Sequence, residues 1–431
     1  MKLAPARRIS GRLRLPGDKS ISHRAALIAG LAPGISRLSN FSTSRDCAST
    51  LSCLQQLGLS VSRSGDSLTI EGRTSLHPPS SVLDCGNSGS TMRILAGVLA
   101  GQAFESELTG DESLSSRPMK RIIDPLELMG AKITSVDGKP PLKIYGNKEL
   151  NPITYHLPVA SAQVKSCILF AGLNAAGRTT VIETATTRDH TERLFNGSGV
   201  PVTTIKNNDR TTAISVDGPA EFRCGDFRIP GDISSAAYFV AAAMFLPDSD
   251  LVLEGVSLNP TRTEYLSLLR DWGASITTPE VWSERNESYG SVRVQGQQSL
   301  ANASAPITKD LIPSLIDELP LLAVIGSQLS GGLEIRNAAE LRVKETDRIS
   351  ATVKNLRSFG AEVEEYDDGL FVNGSAKLRG AHIDSFGDHR IAMAFSVAAL
   401  IADGPTEIAG SGCVDISFPE FYRLLAEIAQ T

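Results

Sequence analysis

Apolar residues along the chain fall into two alternating helical patterns. The first is built almost wholly of Ala, Leu, Ile and Gly. It occurs in PGDKSISHRAALIAGLAPG, CGNSGSTMRILAGVLAG and ASAQVKSCILFAGLNAAG, and again in PGDISSAAYFVAAAMF, IDELPLLAVIGSQLSGG and GDHRIAMAFSVAALIADG. A helix without a polar face has to be buried all round. The second pattern carries an apolar stripe with charges outside it and follows a polar turn, as in SRDCASTLSCLQQLG, SRPMKRIIDPLELMG, TRDHTERLFNGSG, TRTEYLSLLRDWG and VKETDRISATVKNLRSFG, with ISFPEFYRLLAEI as a degenerate sixth. A β-rich segment such as TTVIE or LVLEG lies between the two helices. Short strands such as SLTIEG, LKIYG, SVRVQG or LFVNG close most copies.

The combination returns every ~70 to 80 residues, which marks an internal repeat of βαβαββ type. Its six copies are too many for one core, so an α/β fold (α+β type repeats) in two lobes of three copies is expected. The boundary falls near Arg228, before the second of two PGD turns, and the opening PARRISGRLRL reads as a strand that pairs with the later half. The expected division is residues 13–229 in one lobe and residues 1–12 with 230–431 in the other, with two chain crossings as a hinge. Related buried helices aim their N-termini together, and the summed partial charge and free N–H groups suit a phosphate or carboxylate.

Composition narrows the classes. Of 431 residues, 41% are hydrophobic and 21% charged, which fits a folded globular chain. The formal net charge of -6 argues against a nucleic-acid partner. The six cysteines are scattered without a CxxC pair, so neither a disulfide framework nor a zinc site is expected, and a reducing cytosol suits them. The start, MKLAPARRIS, has no apolar signal region and no apolar stretch is long enough to span a bilayer. A cytoplasmic location without a membrane partner is therefore expected.

Candidate chemistry gathers at the openings of the buried helices. In LPGDKSISHR, Asp18 is placed to cap a helix, Ser20 and Arg24 share one face, and Lys19 sits at the mouth. An ordinary capped helix with a solvated cation remains the plain alternative, whereas a phosphate-binding P-loop needs a glycine spacing that LRLPGDKS lacks. The second PGD copy, IPGDISSAAY, has Ile233, Ala237 and Tyr238 where the first has Lys19, His23 and Arg24. In GNSGSTMR, Gly89 allows close backbone approach and Arg93 follows one turn later. Arg117 precedes Pro118, a favoured first helical residue, and should project from a helix entry. Ser161 and Gln163 are polar groups at the start of a buried helix and need partners. VKETDR collects Lys344, Glu345, Asp347 and Arg348 at one helix start, an arrangement that is usually a solvated face. FGDHR sets Asp388, His389 and Arg390 before a fully apolar helix, which a surface role does not explain. Asp317 and Glu318 stand at another such entrance, where a carboxylate is a candidate base and capping is the simpler role.

Taken in order, PGDKSISHR, GNSGSTMR, SSRPMKR, SAQVKS, RDHTE, NPTR, LRVKETDR and GDHRIAMAF resemble the 5-enolpyruvylshikimate-3-phosphate synthase family along essentially the whole chain. The resemblance implies a two-lobed inside-out αβ barrel that closes over shikimate 3-phosphate and phosphoenolpyruvate, with no metal or organic cofactor and a monomeric state. It implies shikimate-phosphate contacts from Lys19, Ser20, Arg24, Ser161, Ala162, Gln163, Arg188, Asp317 and Lys344. Phosphoenolpyruvate contacts fall to Lys19, Gly89, Arg117, Gln163, Arg348 and Arg390. Asp317 is implied as the base toward the 5-hydroxyl, and Glu345, supported by Lys344, as the group that protonates the enol methylene and later removes a proton. Ala162 stands where many members have a second serine, and Ile416 where many have a lysine. GDKS, SAQVK, RDHTE and NPTR resemble the glyphosate-tolerant subgroup, while Gly89 stands where tolerant members often carry alanine. Two other readings stand beside this one: the sibling transferase acting on UDP-N-acetylglucosamine, which shares the repeat architecture but usually bears a reactive loop cysteine and lacks the PGDKSISHR and RPMKR set, and a non-catalytic anion-binding repeat protein, which explains the basic turns but gives no reason for Asp317 and Glu345.

Overall fold

The computed structural model describes residues 1–296, 300 and 305–430. Its contacts divide the chain into two units. One comprises Gly17–Ile229 with Ser283–Glu287, and the other Met1–Pro16, Pro230–Trp282 and Ser288–Thr431. Each has its own apolar core. The architecture is mixed α/β, and the described strands form six small sheets with no closed barrel among them.

In the 17–229 unit the three sheets share one plan, a parallel pair extended by two antiparallel strands. Leu83–Asp84 runs parallel to Glu105–Thr109, and Thr154–His156 parallel to Gly177–Glu183. The first sheet obtains its parallel partner differently. Gly34–Ser39 pairs with Phe227–Arg228, the strand just before the second PGD turn. The strand before the first PGD turn, Arg8–Arg14, pairs in turn with Asp250–Ser257, which follows the second PGD helix. The two PGD copies thus exchange their leading strands, which accounts for a matching opening written twice.

That exchange sets the unit boundary at Pro16/Gly17 rather than after residue 12. Strand pairing continues through Arg14 against Glu254, and Leu13 opposite Leu253 is buried in the same core. Ser283–Glu287 also belongs with the 17–229 unit, where Glu287 meets His190 at 2.6 Å and Arg285 donates to Ser198.

The helices without a polar face are buried as their composition requires. Lys19–Leu31, Gly89–Ala100 and Ala162–Gly172 fill one core, with the Gly89–Ala100 helix packed on both others. Ile233–Phe245, Leu319–Gly326 and His389–Ile401 pack against one another in the other. Each large apolar side chain sequestered in this way contributes roughly 1.5–3 kcal/mol. The charged second helices, such as Arg45–Gln56 and Arg348–Ser358, lie outside the inner three and turn their apolar stripe inward. One helix start departs from expectation. After SSRP the helix begins at Lys120, two residues beyond Pro118, because Arg117 ends the short helix Glu112–Ser116 and Met119 N–H bonds Gly138 O at 2.7 Å.

Small residues allow the inner helices to approach closely. A Cβ on Gly97 would lie 2.1 Å from the carbonyl oxygen of Cys167 on the neighbouring helix. Alanine normally gains about 0.5–1 kcal/mol over glycine in a helix interior, but here the helices must separate, at about 1–3 kcal/mol. Gly97→Ala is therefore expected to destabilise the protein by about 2 kcal/mol, read as a lower denaturation midpoint in urea; an equal or higher midpoint would contradict the close crossing.

Candidate active site

Within the 17–229 unit, the three inner helix N-termini meet at one end of the core. Asp18 caps the first, accepting from Ile21 N–H at 2.9 Å, and Ser88 and Ser161 cap the others. Lys19 at the first N-terminus bonds Asp46 at 2.8 Å. Arg24, one turn further on, is 3% exposed and fully engaged. Its Nε donates to Thr191 Oγ1 at 2.7 Å, Nη2 to Ser166 Oγ at 2.8 Å and Nη1 to the Ser20 carbonyl at 2.9 Å. This guanidinium thus ties the first inner helix to the third and to the helix His190–Gly197.

The second inner helix opens with Gly89. Beside it Arg93 donates to Gln163 Oε1 at 2.7 Å, and Gln163 Nε2 donates to Ser90 Oγ at 2.9 Å. Arg117 is held by Asn87 at 2.9 Å and Ser113 at 3.1 Å. A Cβ on Gly89 would lie 2.6 Å from Arg93 Nη1, so glycine here leaves room for that guanidinium, while Arg117 Nη1 at 3.5 Å would be in ordinary contact. Arg188 lies in the segment just before the His190–Gly197 helix. Lys165 is 1% exposed and forms ion pairs with Glu192 at 2.6 Å and Glu183 at 3.2 Å. Burial works against its charge, but the two carboxylates outweigh burial and hold the lysine pKa above its ordinary value. At Glu192 burial outweighs the Lys165 ammonium and raises the carboxyl pKa.

The other unit gathers its inner N-termini in the same way but with carboxylates. Asp388 caps the His389–Ile401 helix, accepting from Arg390 N–H at 2.7 Å. Arg348, 2% exposed, donates to Asp388 at 2.8 Å, to Glu345 at 2.6 Å and to Asp317 at 3.4 Å, while Arg390 stands 3.6 Å from Asp317. Burial opposes the Arg348 charge, but Asp388, Glu345 and Asp317 together push its pKa above the arginine range. Glu318 accepts from Ser234 of the second PGD helix, and Ser234 also accepts from Arg262 of NPTR at 2.6 Å.

The expected residues sort unevenly. Gly89, Arg117 and Gln163 come together around Arg93, and Asp317, Glu345 and Arg390 around Arg348. VKETDR is not a solvated face, since Arg348 is buried; Lys344, Glu345 and Asp347 precede the helix rather than lie in it, and Lys344 bonds Glu340 at 3.2 Å. Ile416 ends a 3-10 turn, Ser411–Ile416. Sequence reasoning missed Asp46, Ser166, Thr191, Asn87 and Ser113, the partners that orient the cations. Asp46 left a signal as a charge in the first turn of a repeated helix, and Asn87, Ser166 and Thr191 lie within the quoted motifs GNSGSTMR, SAQVKS and RDHTE. The buried Cys47 thiol is pushed up to about 12, chiefly by burial. No helix among the described residues is long and apolar enough to cross a membrane.

Repeated mixed α/β sheets around inner helices whose N-termini end on buried arginines and carboxylates define a class of enzyme scaffold suited to small anions. The model of the EPSP synthase family (3-phosphoshikimate 1-carboxyvinyltransferase) matches residues 3–425. A 3-phosphoshikimate 1-carboxyvinyltransferase of Koribacter versatilis is 50% identical over 100% of this chain and 99% of its own length, and one of Solibacter usitatus is 47% identical with the same coverage. The solved EPSP synthase of Acinetobacter baumannii superposes with a TM-score of 0.88 at 39% identity, covering 100% of this chain and 98% of that one. The chain belongs to the EPSP synthase family.

His23 lies fully buried among these groups, bonding Thr50 at 2.7 Å, and its pKa is held well below 6.5 by burial, then by Lys19 and Arg24. A folded pKa below the unfolded one leaves stability intact above about pH 6.5 and erodes it below, as the unfolded chain alone takes the proton. The loss is about 1.4 kcal/mol per pH unit. Unfolding titrations between pH 6.5 and 5.5 should show a shallower decline for His23→Gln than for the unsubstituted chain, by up to about that slope; identical slopes would mean the imidazole is protonated in the fold.

Proposed function

We propose that this chain transfers the enolpyruvyl group of phosphoenolpyruvate to the 5-hydroxyl of shikimate 3-phosphate, releasing phosphate, in the biosynthesis of chorismate and the aromatic amino acids. Membership of the family at full coverage supports this activity over nucleotide-sugar transfer and over a non-catalytic anion binder. The single structural observation that carries the mechanism is Arg348, a buried guanidinium shared by Asp317, Glu345 and Asp388 with Arg390 beside it.

In this reading each unit is an inside-out αβ lobe of three repeats, and the chain crossings act as the hinge for closure. Lys19, Ser20, Arg24, Ser161, Ala162, Gln163, Arg188, Asp317 and Lys344 take shikimate 3-phosphate. Lys19, Gly89, Arg117, Gln163, Arg348 and Arg390 take phosphoenolpyruvate. Two phosphates and a carboxylate are matched by cations held in water-poor surroundings, where such contacts are strong.

The chemistry then needs one proton donor and one base on the reacting carbons. Phosphoenolpyruvate competes with Glu345 for the Arg348 guanidinium. A Glu345 released from its cation holds a proton more readily and gives it to the methylene carbon. Asp317 takes the proton of the 5-hydroxyl as that oxygen bonds to C2. Elimination reverses the first transfer, as Glu345 removes a proton from the new methyl group and the C2–O bond to phosphate breaks. The reaction runs without a metal or organic cofactor, in a monomer in the cytoplasm.

Purified protein mixed with both substrates should release phosphate, whereas release with UDP-N-acetylglucosamine instead would move the assignment to the sibling enzyme. Glu345→Gln should lower turnover by about 10²–10⁴-fold, the usual scale for lost acid–base catalysis, while substrate binding measured by calorimetry changes far less. An unchanged rate would remove Glu345 from the mechanism.

A further inference from the structure

Two sequence motifs, SAQVKS and RDHTE, contain charged residues that the proposed chemistry does not use, Lys165 and Glu192. With Glu183 they form a buried ion triad. Lys165 is 1% exposed, Glu183 3% and Glu192 7%, and the lysine ammonium lies 2.6 Å from Glu192 and 3.2 Å from Glu183. Stability alone does not explain such a cluster. Removing three charges from water costs several kcal/mol per ion, and an apolar replacement of similar volume is often neutral or better. What an apolar replacement cannot supply is direction.

The direction is visible in the neighbours. Ser166, next to Lys165, bonds Thr191 Oγ1 at 2.6 Å and accepts from Arg24 at 2.8 Å, while Thr191, next to Glu192, accepts from Arg24 Nε at 2.7 Å. Consecutive residues on each of two helices therefore make a two-layer joint, with ions below and the Arg24 hydroxyl cradle above. Glu183 extends the joint to the adjoining loop. Its carboxylate accepts from Thr187 Oγ1 at 2.7 Å and from Thr187 N–H at 3.3 Å, fixing the residue that precedes Arg188.

We propose that Lys165, Glu183 and Glu192 are positioning residues for the shikimate 3-phosphate site, setting Arg24 through Thr191 and Ser166 and setting Arg188 through Thr187. This rests on the function proposed above and adds residues to it. The triad touches no substrate; it fixes where two guanidinium groups stand, and displacements of about 1 Å at such groups cost up to about 10²-fold.

The test is a Lys165→Met, Glu183→Gln, Glu192→Gln triple variant, which removes all three charges at similar volume. Its thermal midpoint should equal or exceed that of the unsubstituted enzyme, while KM for shikimate 3-phosphate rises about tenfold or more and KM for phosphoenolpyruvate stays within about twofold. Lys165→Arg, which keeps the cation, should restore most of the lost affinity when Glu183 and Glu192 are intact. If the triple variant does not fold, Thr187→Val carries the question, since it removes the hydroxyl bond from the loop to Glu183 while all three charges stay in place, and it should shift the same KM alone. An unchanged shikimate 3-phosphate KM, or equal rises in both KM values, would overturn the inference. An unsubstituted enzyme that releases no phosphate would instead overturn the functional reading.

Discussion

The structure depends on the burial of helices that have no polar side to show to water. Ile233–Phe245 and His389–Ile401 are buried along nearly their whole length, so neither can lie on a surface and each must be enclosed by others of its kind. Three inner helices close one core and three close the other. Their ends are then the only places where main-chain N–H groups lack partners within the helix. Side chains supplied at those ends are drawn into a small volume, and this is where the charges of the molecule become organised.

The two units use that constraint differently. In the 17–229 unit these ends and the turns beside them carry Lys19, Arg24, Arg93 and Arg117, held by hydroxyls, amides and the Asp46 carboxylate. In the other unit the buried Arg348 is shared among three carboxylates, with Arg390 beside it. The second PGD copy shows the difference at one position. With Ile233 and Tyr238 in place of Lys19 and Arg24, its helix offers Ser234, which links Arg262 to Glu318. The scaffold is retained and the chemistry at its mouth is changed.

Buried ions recur where geometry matters more than stability. Lys165 with Glu183 and Glu192, and Arg348 with Asp388, are nearly inaccessible. Each joins separate segments, such as Arg348 and Asp388, 40 residues apart. An apolar contact would hold such segments together but would permit sliding, whereas opposite charges held at short range in a dry interior resist it.

The sequence by itself determined which helices are buried, where most of them begin and how often the pattern returns, because apolar period and capping chemistry are local properties. Asp18, Ser161 and Asp388 were legible as residues at helix entrances for that reason. The family motifs were legible in the same local way. Only the tertiary structure decided that the two PGD copies trade leading strands, that the helix after Arg117 starts at Lys120, and that Arg348 turns inward. It also decided the partners: Thr191 for Arg24, 167 residues away, and Asp388 for Arg348, 40 residues away. Such pairings depend on which faces of separate helices are pressed together, and no periodicity within either helix carries that information.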